Sequence, residues 1–240
     1  MRHHPQLVQR IYGQGHEIGC HGWSHRPLWT LDPERFAWEL AEFDRDAAPV
    51  VPVDEIVGFR APTFSLDERT CWALEILRAH GFRYDSSVFP VRTHLYGVED
   101  CPAQPYRPTM EGLTSDHQGE DFLEFPLSVY RLAGFRVPVS GGFYLRAIPL
   151  TVMQSLLTRI NAQGHPFVIY LHPWEADAET PRIRGMSLLK RFVTYHNARS
   201  ALFKLESLLQ SFSFAPLRDV LGIKGGRPPS QGLERSCANQ

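Results

Sequence analysis

The sequence is short of several features, and each absence excludes something. Its four cysteines, Cys20, Cys71, Cys101 and Cys237, stand far apart with no CxxC spacing. That argues against a cysteine-built zinc site and against a disulfide framework. No apolar run approaches the roughly 18 residues of a bilayer span, so none is expected. The opening residues, MRHHPQLVQRIYGQGHE, lack the apolar core of a secretion signal. With the uncommitted cysteines, this leans toward a cytoplasmic location. Charge of neither sign dominates: 25 Lys and Arg face 26 Asp and Glu. Such a balance leaves no basic footprint for nucleic acid. No internal repeat is visible.

What is present is a core and an excess of histidine. Hydrophobic residues make up 43% of the 240 positions, enough for one large or two small domains. The 11 histidines make metal or acid–base chemistry worth seeking. Hydrophobic spacing predicts helices at Gln6–Tyr12, at Pro33–Ala47 with Asp32 as N-cap, from Ser65 or Asp67 to Gly81, at Thr151–Asn161, and around Ser187–His196 and Ala198–Ser211. Strands are expected at Glu17–Cys20, Ile56–Phe59, around Phe82–Tyr84 and at Phe167–Leu171. FLEFPLSVYRL and FRVPVSGGFYLRAI also read as β segments. Arg92 to Glu120 reads as a long loop. The alternation argues for an α/β layout with parallel strands.

Ligands of such folds sit at the carboxyl ends of the strands. The residues that follow the expected strands are His21-Gly-Trp-Ser-His25, Arg60-Ala-Pro-Thr-Phe64, Asp85-Ser-Ser87 and His172-Pro-Trp-Glu175. Each carries a polar or ionisable group. Singly each is weak, because an HxxxH spacing arises by chance and an Asp-Ser after a strand is usually a turn. Four in register form a pattern. Cys20, next to His21, points to the opposite face of the strand and reads as core. Trp23, Phe64 and Trp174 read as groove or core, and Glu175 as a partner of the site or a solvent-facing helix start.

HGWSH, FRAPTF, YDSS and YLHPW, in this order, resemble the polysaccharide deacetylases of carbohydrate esterase family 4. GHEIGCHGWSH, YDSSVFPVRTHLYG, LEFPLS and VSGGFYLR look like the exosortase-associated branch, linked to exopolysaccharide loci. The resemblance runs to about Phe214. It implies a distorted (β/α) barrel and a metal-dependent amide hydrolase acting on an N-acetylated polysaccharide or oligosaccharide. It implies zinc held by His21, His25 and an Asp. The family's Arg, which orients the catalytic Asp, maps to Arg60. The general acid that protonates the departing amine maps to His172. Leu171, Pro62, Asp85, Ser86 and Trp174 would line the substrate pocket. Ser24 stands fourth in this motif, where the family has Ser or Thr second.

The family's first motif, T-F-D-x-[DE]-like, supplies the catalytic base and the third metal ligand. It is absent from these 240 residues. The chain therefore reads as a deacetylase domain over 1–216, lacking its first strands, with a disordered tail over 217–240. Two functions compete. One is N-deacetylation of an exopolysaccharide. The other is a truncated, inactive remnant with at most weak metal or glycan binding. A third, an α/β binding protein with chance motifs, has least support.

Overall fold

The computed structural model describes residues 1–177 and 179–227. The chain divides into two compact units: Met1–Pro126 with Ala215–Gln240, and Leu127–Phe214.

The first unit begins with helix α1, Pro5–Gly13. Helix α2, Pro33–Ala47, starts where the sequence places it, because the Asp32 carboxylate accepts from the Arg35 amide at 2.7 Å. Its buried face is Phe36, Leu40, Phe43 and Ala47, at helical spacing. Strand β1 is Gly58–Phe59. Helix α3 covers only Ala73–Ala79, later than expected. The Thr70 hydroxyl, which bonds the Asp67 amide and the Ser65 carbonyl, holds the preceding residues in turns instead of a helical turn. Strands β2, Tyr84–Asp85, and β3, Leu123–Glu124, complete a parallel sheet of order β1-β2-β3. The strand expected at Glu17–Cys20 shrinks to one parallel bridge, Cys20 to Phe59, with the Cys20 amide 2.9 Å from the Gly58 carbonyl. Among the described residues no barrel closes.

The second unit has one antiparallel hairpin, β4 Val129–Leu132 with β5 Phe135–Pro138. Helices α4 Gly142–Ala147, α5 Leu150–Ala162, α6 Leu188–Tyr195 and α7 Ala201–Ser211 follow. Its core is Val139, Leu145, Met153, Leu157, Ile160 and Leu208. Two expectations fail here. GGFYLRAI was expected as β, yet it is α4. Gly141, at φ 96°, turns the chain out of β5, and its carbonyl receives the Leu145 amide. Phe167–Leu171 was expected as a strand, yet it forms no ladder. Its Val168 amide is taken by a side chain, Ser128 Oγ, at 2.8 Å.

The chain then returns to the first unit. The expected disordered tail holds order at its start: a short helix spans Leu217–Val220. Glu17 accepts from the Arg218 amide at 3.1 Å, and the buried Arg227 guanidinium pairs with Asp44 at 2.8 Å. These charged residues find partners far back in the chain, which composition could not show. Residues 228–240 of that expectation lie outside the described residues.

Candidate active site

Because β1, β2, β3 and the Cys20 segment are parallel, the residues after them gather at one sheet end. His21 follows Cys20. Its Nδ1 lies 2.6 Å from the Arg60 carbonyl. A carbonyl only accepts, so Nδ1 carries the proton and Nε2 carries the lone pair. The loop then turns at Gly22, φ 74°, and at His25 itself, φ 57°. The His25 ring ends edge-on to His21, with centroids 5.0 Å apart. Ser24 anchors this turn to α2: its hydroxyl donates to Glu39 Oε1 at 2.6 Å, and its amide lies 3.3 Å from Oε2. That anchoring gives the displaced serine a structural role. Trp23 donates to Asp46 and packs edge-on against Trp38 at 5.2 Å, on the side of α2. Burial pushes the Cys20 thiol up to about 12, in keeping with core rather than ligation.

Arg60 is clamped by one serine. Its Nε donates to the Ser86 carbonyl and its guanidinium to Ser86 Oγ, each at 2.7 Å. Ser86 in turn donates to the Phe125 carbonyl at 2.8 Å. Asp85, Ser86 and Pro62, expected from the resemblance to line the pocket, are buried. They brace the strand ends from within. β2 and β3 pair with Asp85 opposite Glu124, and both side chains are fully buried. Asp85 Oδ1 accepts from Ser87 at 2.6 Å, and Glu124 Oε1 accepts from the Ser87 and Val88 amides. The remaining oxygens, Asp85 Oδ2 and Glu124 Oε2, have no N–H or O–H donor among the described residues. A proton shared between the two carboxyls resolves this. Burial raises both groups. The Asp85 charge raises Glu124 further, while the bonds from Glu124 and Ser87 and the Arg60 charge restrain Asp85.

In the second unit His172 sits before a 3₁₀ turn, Pro173–Glu175. Its ring stacks on Trp174 with centroids 5.7 Å apart, and about half of its side chain is exposed. Its Nδ1 lies 3.1 Å from Glu175 Oε2, which also accepts the His172 amide at 2.9 Å. The carboxylate accepts, so Nδ1 carries a proton and Nε2 is left for exchange. Glu175 is not solvent-facing. It is buried, and its Oε1 accepts from Arg146 at 2.9 Å. Arg146, buried on α4, also donates to the His196 and Val193 carbonyls. Burial works to raise the Glu175 carboxyl. The bonds from His172 and Arg146 outweigh it and hold the group below its ordinary value. Gly142 makes room for this row, since a Cβ there would collide with the Glu175 carboxylate. Leu171 is half-buried beside it.

No three His, Cys, Asp or Glu side chains among the described residues are placed to hold a metal ion. His21 and His25 supply two imidazoles, a donor type that suits zinc. The expected Asp has no substitute among them. The sequence also missed Arg146 and the Asp85–Glu124 pair. A charged residue inside the apolar GGFYLRAI was the one signal for Arg146.

Residues 1–84 match the polysaccharide deacetylase family, and residues 86–222 match a domain of unknown function, DUF3473. A chitin deacetylase of Arthroderma benhamiae is 28% identical over 74 residues, covering 31% of this chain and 20% of that protein. A peptidoglycan deacetylase-like protein of Gibberella zeae is 30% identical over 95 residues, covering 40% of this chain and 27% of that protein. The chain thus spans about a fifth to a quarter of the length of these curated relatives. The crystal structure of Puue allantoinase aligns with a TM-score of 0.53 and 15% identity, over 91% of this chain and 62% of that one. This likeness supports the α/β fold alone. The chain belongs to the DUF3473 family, whose model matches more than half of it, and its first 84 residues match the polysaccharide deacetylase family.

Proposed function

We propose that the protein hydrolyses N-acetyl groups of an N-acetylated polysaccharide, in the making or modification of an exopolysaccharide. The observation that carries this is the row Arg146–Glu175–His172. It holds an exposed imidazole with one nitrogen fixed as N–H and the other left to exchange a proton. The family match over residues 1–84, which includes His21 and His25, supplies the substrate class. In this reading His21 and His25 hold a divalent ion, zinc by donor type. When bound, the ion supplies Lewis-acid polarisation of the amide carbonyl and a more acidic water. His172 gives its proton to the departing amine nitrogen, a role worth about 10²–10⁴ in rate. Glu175 and Arg146 keep the ring in the orientation and tautomer for that transfer. Arg60, clamped on Ser86, offers a fixed cation at the sheet end. Trp174 and Leu171 offer apolar faces for a sugar ring.

One observation favours a second reading, the inactive remnant. The described residues offer two imidazoles where a catalytic zinc ordinarily takes three protein ligands. One experiment separates the two. The protein is incubated with N-acetylglucosamine oligomers and excess zinc or cobalt, and acetate and free amine are measured together. Metal-dependent acetate matched by free amine, and lost in His21→Ala, supports hydrolysis. Oligomer binding without acetate under either ion supports the remnant.

A further inference from the structure

The charge balance of the whole chain hides a local imbalance. Between Glu179 and Glu206 no residue is acidic, while six are Lys or Arg. Lys204 is turned inward onto the carbonyls of Leu145, Arg146 and Ile148. Arg182, Arg184, Lys190 and Arg191 are exposed, and none forms an ion pair among the described residues. Interleaved with them are large apolar side chains that the core does not take up. Ile183 is 66% exposed, Leu188 84%, Leu189 72% and Phe192 51%.

The arrangement has a direction. Ser187 caps α6 by accepting from the Lys190 amide, which fixes the helical phase. In that phase Leu188, Leu189, Phe192 and Val193 share one side of the helix. Arg191 and Lys190 fall at the two edges of that apolar arc. Ile183 and Arg184 extend the mixture just before the helix. A water-facing surface gains nothing from this pattern, and large apolar side chains exposed side by side mark contact surfaces.

We propose that the Arg182–Val193 stretch docks the protein on the surface of an anionic phospholipid bilayer. The apolar arc would lie among the upper acyl chains, with the basic edges at the level of the phosphates, as an interfacial helix does. Charge complementarity selects this occupant. A second copy would set the same uncompensated cations against one another. A nucleic acid would leave the leucines in water. No helix of the described residues is long and apolar enough to cross a membrane, so the contact is peripheral. It goes beyond the proposed hydrolysis and does not depend on it.

The test is co-sedimentation of the full chain with vesicles of phosphatidylcholine alone or mixed with phosphatidylglycerol. Binding to the mixed vesicles should exceed that to phosphatidylcholine more than about tenfold and should fall as salt rises. Lys190→Gln with Arg191→Gln should weaken it by about fivefold per charge removed. Leu188→Ser with Leu189→Ser should weaken it at least about tenfold. Because these side chains are exposed, circular dichroism and thermal unfolding should be unchanged, so a loss of binding is not a loss of fold. Equal binding to both vesicles, no binding to either, or variants that bind as the parent would overturn the proposal. So would a solution dimer that Leu188→Ser with Leu189→Ser renders monomeric while vesicle binding persists.

Discussion

The two units each bury carboxylates, and they treat them in opposite ways. In the first, Asp85 faces Glu124 across two parallel strands, like charge to like. In the second, Glu175 lies between Arg146 and His172. Burial raises all three groups. Only at Glu175 do the partners outweigh it. Burial therefore does not decide which state a carboxyl keeps; the first neighbour does. The first pair is a braced, proton-sharing strut inside a sheet. Glu175 is an ionised base plate under a half-exposed imidazole.

The comparison can be broken most forcefully at Arg146. Arg146→Ala leaves Glu175 buried without its cation, and should cost about 3–5 kcal/mol in denaturant unfolding. A cost near zero would mean that Glu175 is not ionised. Glu124→Gln tests the other half, since it keeps the shape and removes the like charge. It should stabilise the protein at pH 8 by on the order of 1 kcal/mol.

The two sites also predict opposite pH slopes. The raised Asp85–Glu124 pair binds more protons folded than unfolded. Its contribution is fully present below the ordinary carboxyl range and is lost as pH rises through the folded value. Glu175, depressed, contributes above its ordinary value and loses this as pH falls through its folded value. Unfolding measured from pH 3 to pH 9 should therefore show a fall at the alkaline side that Glu124→Gln flattens. It should show a fall at the acid side that Glu175→Gln flattens. Exchange of the two effects between the variants would contradict the assignment. The smallest stability effect is expected at His172→Ala, within about 0.5 kcal/mol, because about half of that side chain is exposed.

Local signals in the sequence carried α2 and the histidine motifs. Asp32, Pro33 and the Phe36, Leu40, Phe43, Ala47 spacing specify a capped amphipathic helix without tertiary help. HGWSH and HPWE mark their loops because histidine next to glycine or proline is uncommon in a core. What stayed hidden depends on partners distant in the chain. Glu124 lies 39 positions from Asp85, and Arg146 lies 29 from Glu175. Nothing local says that Gly142 exists to admit a carboxylate. FVIYL misled because a short apolar run has no period, and the ladder it would need has no partner strand here. The family's motif order pointed to Asp85 and Ser86, but not to their burial or to the Glu124 partner of Asp85.

The most direct test of the central claim, a braced His172 that donates a proton during glycan N-deacetylation, is acetate release from N-acetylglucosamine oligomers across pH with excess zinc or cobalt. Release should depend on the metal and fall at least about 100-fold in His172→Ala. Glu175→Gln should lower the rate and shift the pH profile while oligomer binding stays. Release by His172→Ala equal to the parent, or oligomer binding with no acetate from the parent under either ion, would contradict it.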